Sequence, residues 1–213
     1  LEFRNLLRKY QIENEDAEGV MSSKSIKGTK GTREKNPDES LVHIDELNKD
    51  ICYVLLEEGE QNLFDEGSAV MYLGDGKQVV STTDAAAVLA HVNVCKEVVG
   101  HDLKKLMHTI GLITSPLFDT MVAAYLLSPG SRHFALDEIL YEQAGKALQG
   151  DEDARELVTY LPKLSKELRI SLMDEGMMKL ANEIEMPVIP VLYEMEKAGI
   201  ALDSQQLEKM SKK

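Results

Sequence analysis

The sequence predicts an α/β domain, a mixed sheet of about five strands with surrounding helices. Three observations carry this. Ile51-Cys52-Tyr53-Val54-Leu55-Leu56 is an unbroken apolar run of strand length, the pattern of a strand buried on both faces. The β-prone runs Ser68 to Leu73 and Lys77 to Ser81 flank Gly74-Asp75-Gly76, a glycine-containing loop of hairpin length. Beyond Pro129 the apolar spacing is helical almost throughout, so strands come first and helices dominate later.

Taken in chain order, Leu1, Phe3, Leu6 and Leu7 of LEFRNLLRKY lie near one face of a short helix, which looks like the last turns of something upstream. From Gln11 to Glu39 apolar residues give way to Gly, Ser, Lys, Glu and Asp, too little hydrophobicity to offset ordering entropy. A flexible, partly disordered linker is expected. The Ile51 run is then the central strand. Thr83 or Asp84 can cap a helix carrying Ala85, Val88 and Leu89, and Lys96 to Gly100 reads as another short buried strand. Asp102 to Ile110 reads as a helix and Leu117-Phe118 as a brief extended piece. Asp119 to Leu127 is a helix that Ser128-Pro129-Gly130 ends.

A chain of 213 residues with 43% hydrophobic content can bury one good core but is short for two full domains. With 5% aromatic residues and no Trp, that core must be mainly aliphatic. The formal charge of -13 lacks the lysine and arginine footprint of a phosphate-binding surface. Lys24, Lys27, Lys30, Arg33 and Lys35 cluster early and read as a solvated linker, with a local basic patch as the alternative. Cys52 and Cys95 are too few for a disulfide framework and read as reduced core thiols. No apolar stretch reaches the roughly 18 residues of a membrane span, and no signal-peptide pattern is present, so the cytoplasm is the expected compartment.

The C-terminal stretch adds a family signal. Glu185-Met186-Pro187-Val188-Ile189-Pro190-Val191-Leu192 runs into Met195-Glu196-Lys197-Ala198-Gly199-Ile200 and then Asp203. This resembles the E-x-P-L-x-P-V-L and M-E-x-x-G-(I/V) signature of the bacterial family A DNA polymerases, the DNA polymerase I family, where an exonuclease domain passes into the polymerase thumb. Pro187 suits a first helical turn and Gly199 a left-handed stop, with Ile184, Val188, Val191, Leu192 and Met195 as the apolar stripe. The opening LEFRNLL is similar to the end of the family's 5′-nuclease domain. Val99-Gly100-His101-Asp102-Leu103-Lys104 is similar to V-G-Q-N-L-K, and Phe118-Asp119-Thr120-Met121 to F-D-T-M. The resemblance implies a ribonuclease-H-like fold of the metal-dependent exonuclease type. It also implies that residues 1–40 are the end of the nuclease region and linker, 41–182 the exonuclease-like domain, and 183–213 the start of the polymerase domain.

Active members of that superfamily hold two divalent cations on four carboxylates, supplied by D-x-E, N-L-K-x-D and Y-x-x-x-D. Carried over residue by residue, Leu55-Leu56-Glu57 stands at the first motif, Asp102 to Leu106 at the second, and Tyr160 to Leu164 at the third. Leu55, Leu106 and Leu164 replace carboxylates, and Glu57 and Tyr160 remain. The resemblance therefore implies no nuclease activity and no cofactor in this chain, with magnesium expected only in a polymerase palm beyond it. Its partners would be the polymerase domain of the same chain and, through the full protein, DNA. Two alternatives stay open: an active exonuclease with displaced carboxylates at Glu57, Glu58, Asp102 and Asp119, and a module binding DNA or a repair partner. His101 and His108 complete no zinc pattern and read as exposed or hydrogen-bonded histidines. Lys27-Gly28-Thr29-Lys30-Gly31-Thr32 lacks phosphate-loop spacing. Met173, Met177 and Met178 read as core or helix-contact residues.

Overall fold

A computed structural model describes residues 43–59, 69–145, 154–201 and 210–211, which belong to one compact unit. The expected N-terminal helix, the linker with its lysine cluster, Ser68 and Leu202-Asp203 lie outside the described residues. The apolar run forms β1 (Ile51–Glu58), the middle strand of a five-stranded sheet. With β2 (Ala69–Gly74), β3 (Val79–Thr82), β4 (Glu97–Gly100) and β5 (Leu117–Asp119), the order is β3-β2-β1-β4-β5. β1 pairs antiparallel with β2 and parallel with β4, and β4 pairs parallel with β5, so the sheet is mixed as predicted.

β2 and β3 form the expected hairpin. Its turn is held by Asp75, whose Oδ1 accepts the Lys77 and Gln78 N–H groups at 2.9 Å each, while Gly76 takes a positive φ of 86°. Helix α1 (Ala85–Val92) is capped by Asp84 rather than Thr83, through the Ala86 and Ala87 N–H groups. Helices α2 (Leu103–Ile110) and α3 (Thr120–Leu127) follow β4 and β5 directly, and α4 (Leu136–Ala144) and the long α5 (Ala154–Asp174) complete the cover. No helix among the described residues is long and apolar enough to cross a membrane.

The two faces of the sheet meet different helices. Paired residues on neighbouring strands point the same way, so Tyr53, Val99 and Phe118 form one row and Val54, Gly100 and Asp119 the next. The first row faces α5: the Arg169 guanidinium lies 3.9 Å from the Phe118 ring centroid and its Nη2 donates to Glu97 Oε1 at 2.7 Å. The second row faces α2, where Gly100 lets Leu103 approach the strand. β1 is thus buried from both sides, which is why its sequence does not alternate.

The C-terminal helix corrects one expectation. α6 (Met178–Leu180) runs through a π-helical turn, Ala181–Glu185, into α7 (Met186–Ala198), so Pro187 sits in the first turn of α7 but not at a free helix start. Pro187 and Pro190 carry no N–H, so the α-helical bonds they would make are missing there. Gly199, at φ 70°, ends the helix as expected. The face packed on the domain is Met186, Ile189 and Tyr193; Ile184, Val188, Val191, Leu192 and Met195 are 36 to 63% exposed. Met177 and Met178 pack against the core, whereas Met173, read with them as a core or helix-contact residue, is exposed.

A Cβ at position 100 would press into Leu103 and stand 2.8 Å from the Val54 carbonyl oxygen. Gly100→Ala is expected to destabilise the chain by roughly 1–3 kcal/mol in urea unfolding, because a backbone atom of the central strand must move. Unfolding within about 0.5 kcal/mol of the wild type would contradict the close approach.

Candidate functional site

Strand alternation puts Leu55 and Glu57 on the Tyr53 face of β1, toward α5, and Leu56 and Glu58 on the other. Leu55 is 6% exposed. Glu57 lies at the open end of the strand, where its Oε2 accepts the Tyr72 hydroxyl at 2.7 Å. Tyr72 stands opposite Leu55 on β2 and so shares its face. Glu58 points the other way and pairs with Lys105 of α2 at 2.8 Å.

Tyr160 and Leu164 are one turn apart on α5. Leu164 is wholly buried, and half-buried Tyr160 donates its hydroxyl to Glu156 Oε1 at 2.7 Å. Leu106, 2% exposed, lies on the buried stripe of α2 with Leu103, Met107 and Ile110. The fold therefore places Leu55, Glu57, Tyr160 and Leu164 on the α5 side of the sheet and Leu106 on the α2 side. All three leucines belong to one continuous hydrophobic core.

The carboxylates of the displaced-site alternative do not all converge. Glu57 and Glu58 diverge, and Asp102 caps α2 through the Lys105 N–H from a left-handed backbone at φ 54°. Asp119 caps α3 as its position suggests, accepting from Met121 and Val122. Among the described residues no three carboxylates converge closely enough to share an ion. His101 and His108 are each hydrogen-bonded, to different partners. Thr120 donates its hydroxyl to the Gly100 carbonyl at 3.1 Å, so its oxygen accepts from His101 Nδ1 at 3.0 Å. His108 meets Glu196 at 2.8 Å and the edge of Tyr193, docking α2 on α7 beside the Lys104–Glu196 ion pair.

No protein-family model matches the chain. It is 31% identical over 133 residues to DNA polymerase I of Mycobacterium leprae, covering 52% of this chain and 14% of that protein. It is also 27% identical over 113 residues to DNA polymerase I of Bacillus subtilis, covering 44% and 13%. The chain is a homologue of bacterial DNA polymerase I over about half its length. It spans about a seventh of the relatives it matches. A solved POL domain of Pol1 from M. smegmatis, in complex with DNA primer-template and dNTP, superposes with a TM-score of 0.56 at 26% identity, covering 67% of this chain and 28% of that one. Brucella melitensis NrnC matches at a TM-score of 0.59 and 18% identity, covering 73% and 89%. The fold is the ribonuclease-H-like, exonuclease-like α/β fold.

Among the described residues the most fully buried carboxyl group is that of Asp119, 1% exposed. Besides α3, it holds the start of α2, accepting the Leu103 N–H at 2.6 Å and the Asp102 N–H at 3.2 Å. Two helix starts thus share one carboxylate, each presenting a positive dipole end. The α3 cap is readable from Phe118-Asp119-Thr120; the bond to α2, 16 residues away, has no sequence signal. Burial raises the carboxyl to about 6 against the backbone donors that pull it down, and the neighbouring Asp102 charge adds to the rise.

A folded-state pKa near 6, above the ordinary 3.8, means the folded chain holds this proton more tightly than the unfolded one. Its stabilising contribution is complete below the unfolded value and is lost as pH rises through about 6, a difference of roughly 3 kcal/mol. Urea unfolding is expected to show stability falling across that window, and Asp119→Asn is expected to remove this component. Identical pH profiles for both proteins would contradict the assignment.

Proposed function

We propose that the chain is a catalytically silent exonuclease-like domain of a family A DNA polymerase, supporting the polymerase part of the same protein in replication and repair. The observation behind this is the donor set. Of the carried-over positions Glu57 alone offers a carboxylate, and it is exposed and engaged by Tyr72. Two hard cations about 4 Å apart each take six or more oxygen ligands. These residues do not fit that demand. Magnesium chemistry then belongs to a polymerase palm beyond this chain, and DNA is met through the full protein.

The supporting role rests on α7. It is apolar on two opposite sides: one is packed here, and the other, Val188, Val191, Leu192 and Met195, continued by Ile184 of the π turn, is open. An apolar helix face of this kind marks a contact surface, and the relatives carry a much longer chain to meet it.

Incubated with single-stranded DNA and Mg2+ or Mn2+, the chain is expected to leave the strand intact, and neither ion should raise its melting temperature. Metal-dependent shortening that Glu57→Ala abolishes would establish the displaced-carboxylate exonuclease instead. Salt-sensitive binding of the isolated chain to duplex DNA would favour a binding module over a brace.

Val191→Asp in the full-length protein should lower the melting temperature of the polymerase while changing the unfolding of this chain alone by under about 0.5 kcal/mol. Unchanged melting in the full-length protein would remove α7 as the contact.

A further inference from the structure

On the α2 side of the sheet, away from the carried-over positions on β1 and α5, the core contains a polar cluster that the polymerase relationship does not use. Cys52 points inward from β1, His91 closes the last turn of α1, and Cys95 sits in the turn that leads into β4. They are 1, 4 and 5% exposed. One ligand atom from each lies within 4.8 Å of the other two. Both cysteines are free thiols.

We infer that Cys52, His91 and Cys95 form a binding site for a single thiophilic d10 cation, Zn2+ or Cu+. The donor set is the soft and borderline one such ions select, two sulfurs and an imidazole. Cys95 lies just past the helix that carries His91, in a turn that brings its sulfur back beside the His91 side chain, and the distant Cys52 closes the set from the strand. The Cys95 sulfur is held at the helix end by its contact with the His91 carbonyl, at 3.3 Å. His91 Nε2 is buried with no hydrogen-bond partner, the single such side-chain atom among the described residues. A buried ring nitrogen without a partner is costly to fold around, and a site that recruits a ligand removes that cost.

Charge balance favours the same reading. On binding Zn2+ both thiol protons leave to solvent, and the ion with two thiolates and a neutral imidazole is electrically neutral; on binding Cu+ one thiol proton leaves and the other cysteine stays protonated, which is again neutral. Three protein donors leave zinc a fourth position for water or a carbonyl, whereas Cu+ is satisfied by three. The bound ion would clamp β1 to the junction of α1 and β4. This inference stands apart from the proposed function, since neither depends on the other.

The test is titration of the reduced, metal-stripped chain with Co2+ under anaerobic conditions. A thiolate-to-cobalt charge-transfer band that saturates at one equivalent and is bleached by Zn2+ is expected for a zinc site. Absence of that band together with one-to-one competition against a Cu+ chelator identifies a copper site. Cys95→Ser, in a turn, and His91→Gln should each abolish the signal while circular dichroism stays native. Failure of the wild-type chain to bind either ion overturns the inference without reference to any variant, and so does a band that survives in Cys95→Ser.

Discussion

Everything in this fold answers to the burial of one strand from both sides. β1 has a strand neighbour at each edge and a helical layer over each face, so any polar group on it must find a partner inside or sit where the strand emerges. Its sequence obeys that division: hydrocarbon or sulfur at Cys52, Val54 and Leu55, and carboxylates where the strand reaches solvent, at Glu57 and Glu58. A charge at position 55 would need metal or cationic company to remain there. Leucine removes the need.

Asp119 shows the opposite solution to the same constraint. A carboxylate at the end of β5 is tolerated in the core because four backbone N–H groups from two helix starts converge on it. The amide of Asp119 itself donates to the Met186 sulfur at 3.2 Å, so α7 is tied into the same junction. β5, α2, α3 and α7 are thereby held at one point, and the geometry of the α2 start, including the left-handed Asp102, follows from it.

Local patterns were legible in the sequence, and long-range ones were not. The doubly buried strand, the Asp75 turn and the α3 cap each rest on a few neighbouring residues. The choice of Asp84 over Thr83 rests on side-chain geometry that either residue could have met. The second helix on Asp119 is invisible because nothing in the spacing of Asp102 and Asp119 encodes contact. Leu106 is readable as a buried helix residue, but the layer it enters depends on strand pairing. The Cys52, His91 and Cys95 gathering hides behind a separation of 39 residues between Cys52 and His91 along the chain; its one local trace is the four-residue spacing of His91 and Cys95. On α7 an apolar stripe was evident, but hydropathy cannot say which of two apolar sides turns inward.

That choice of side is set by the π turn at Ala181–Glu185. A π turn accommodates one residue more than an α turn, and each residue advances a helix by about 100°. Excising a single residue there would spin α7 about its own axis by that angle. Neither Ile189 and Tyr193 nor Val191 and Met195 would then keep their present azimuth. The local widening acts as a phase setting, through which one amino acid fixes the compass bearing of an entire docking face.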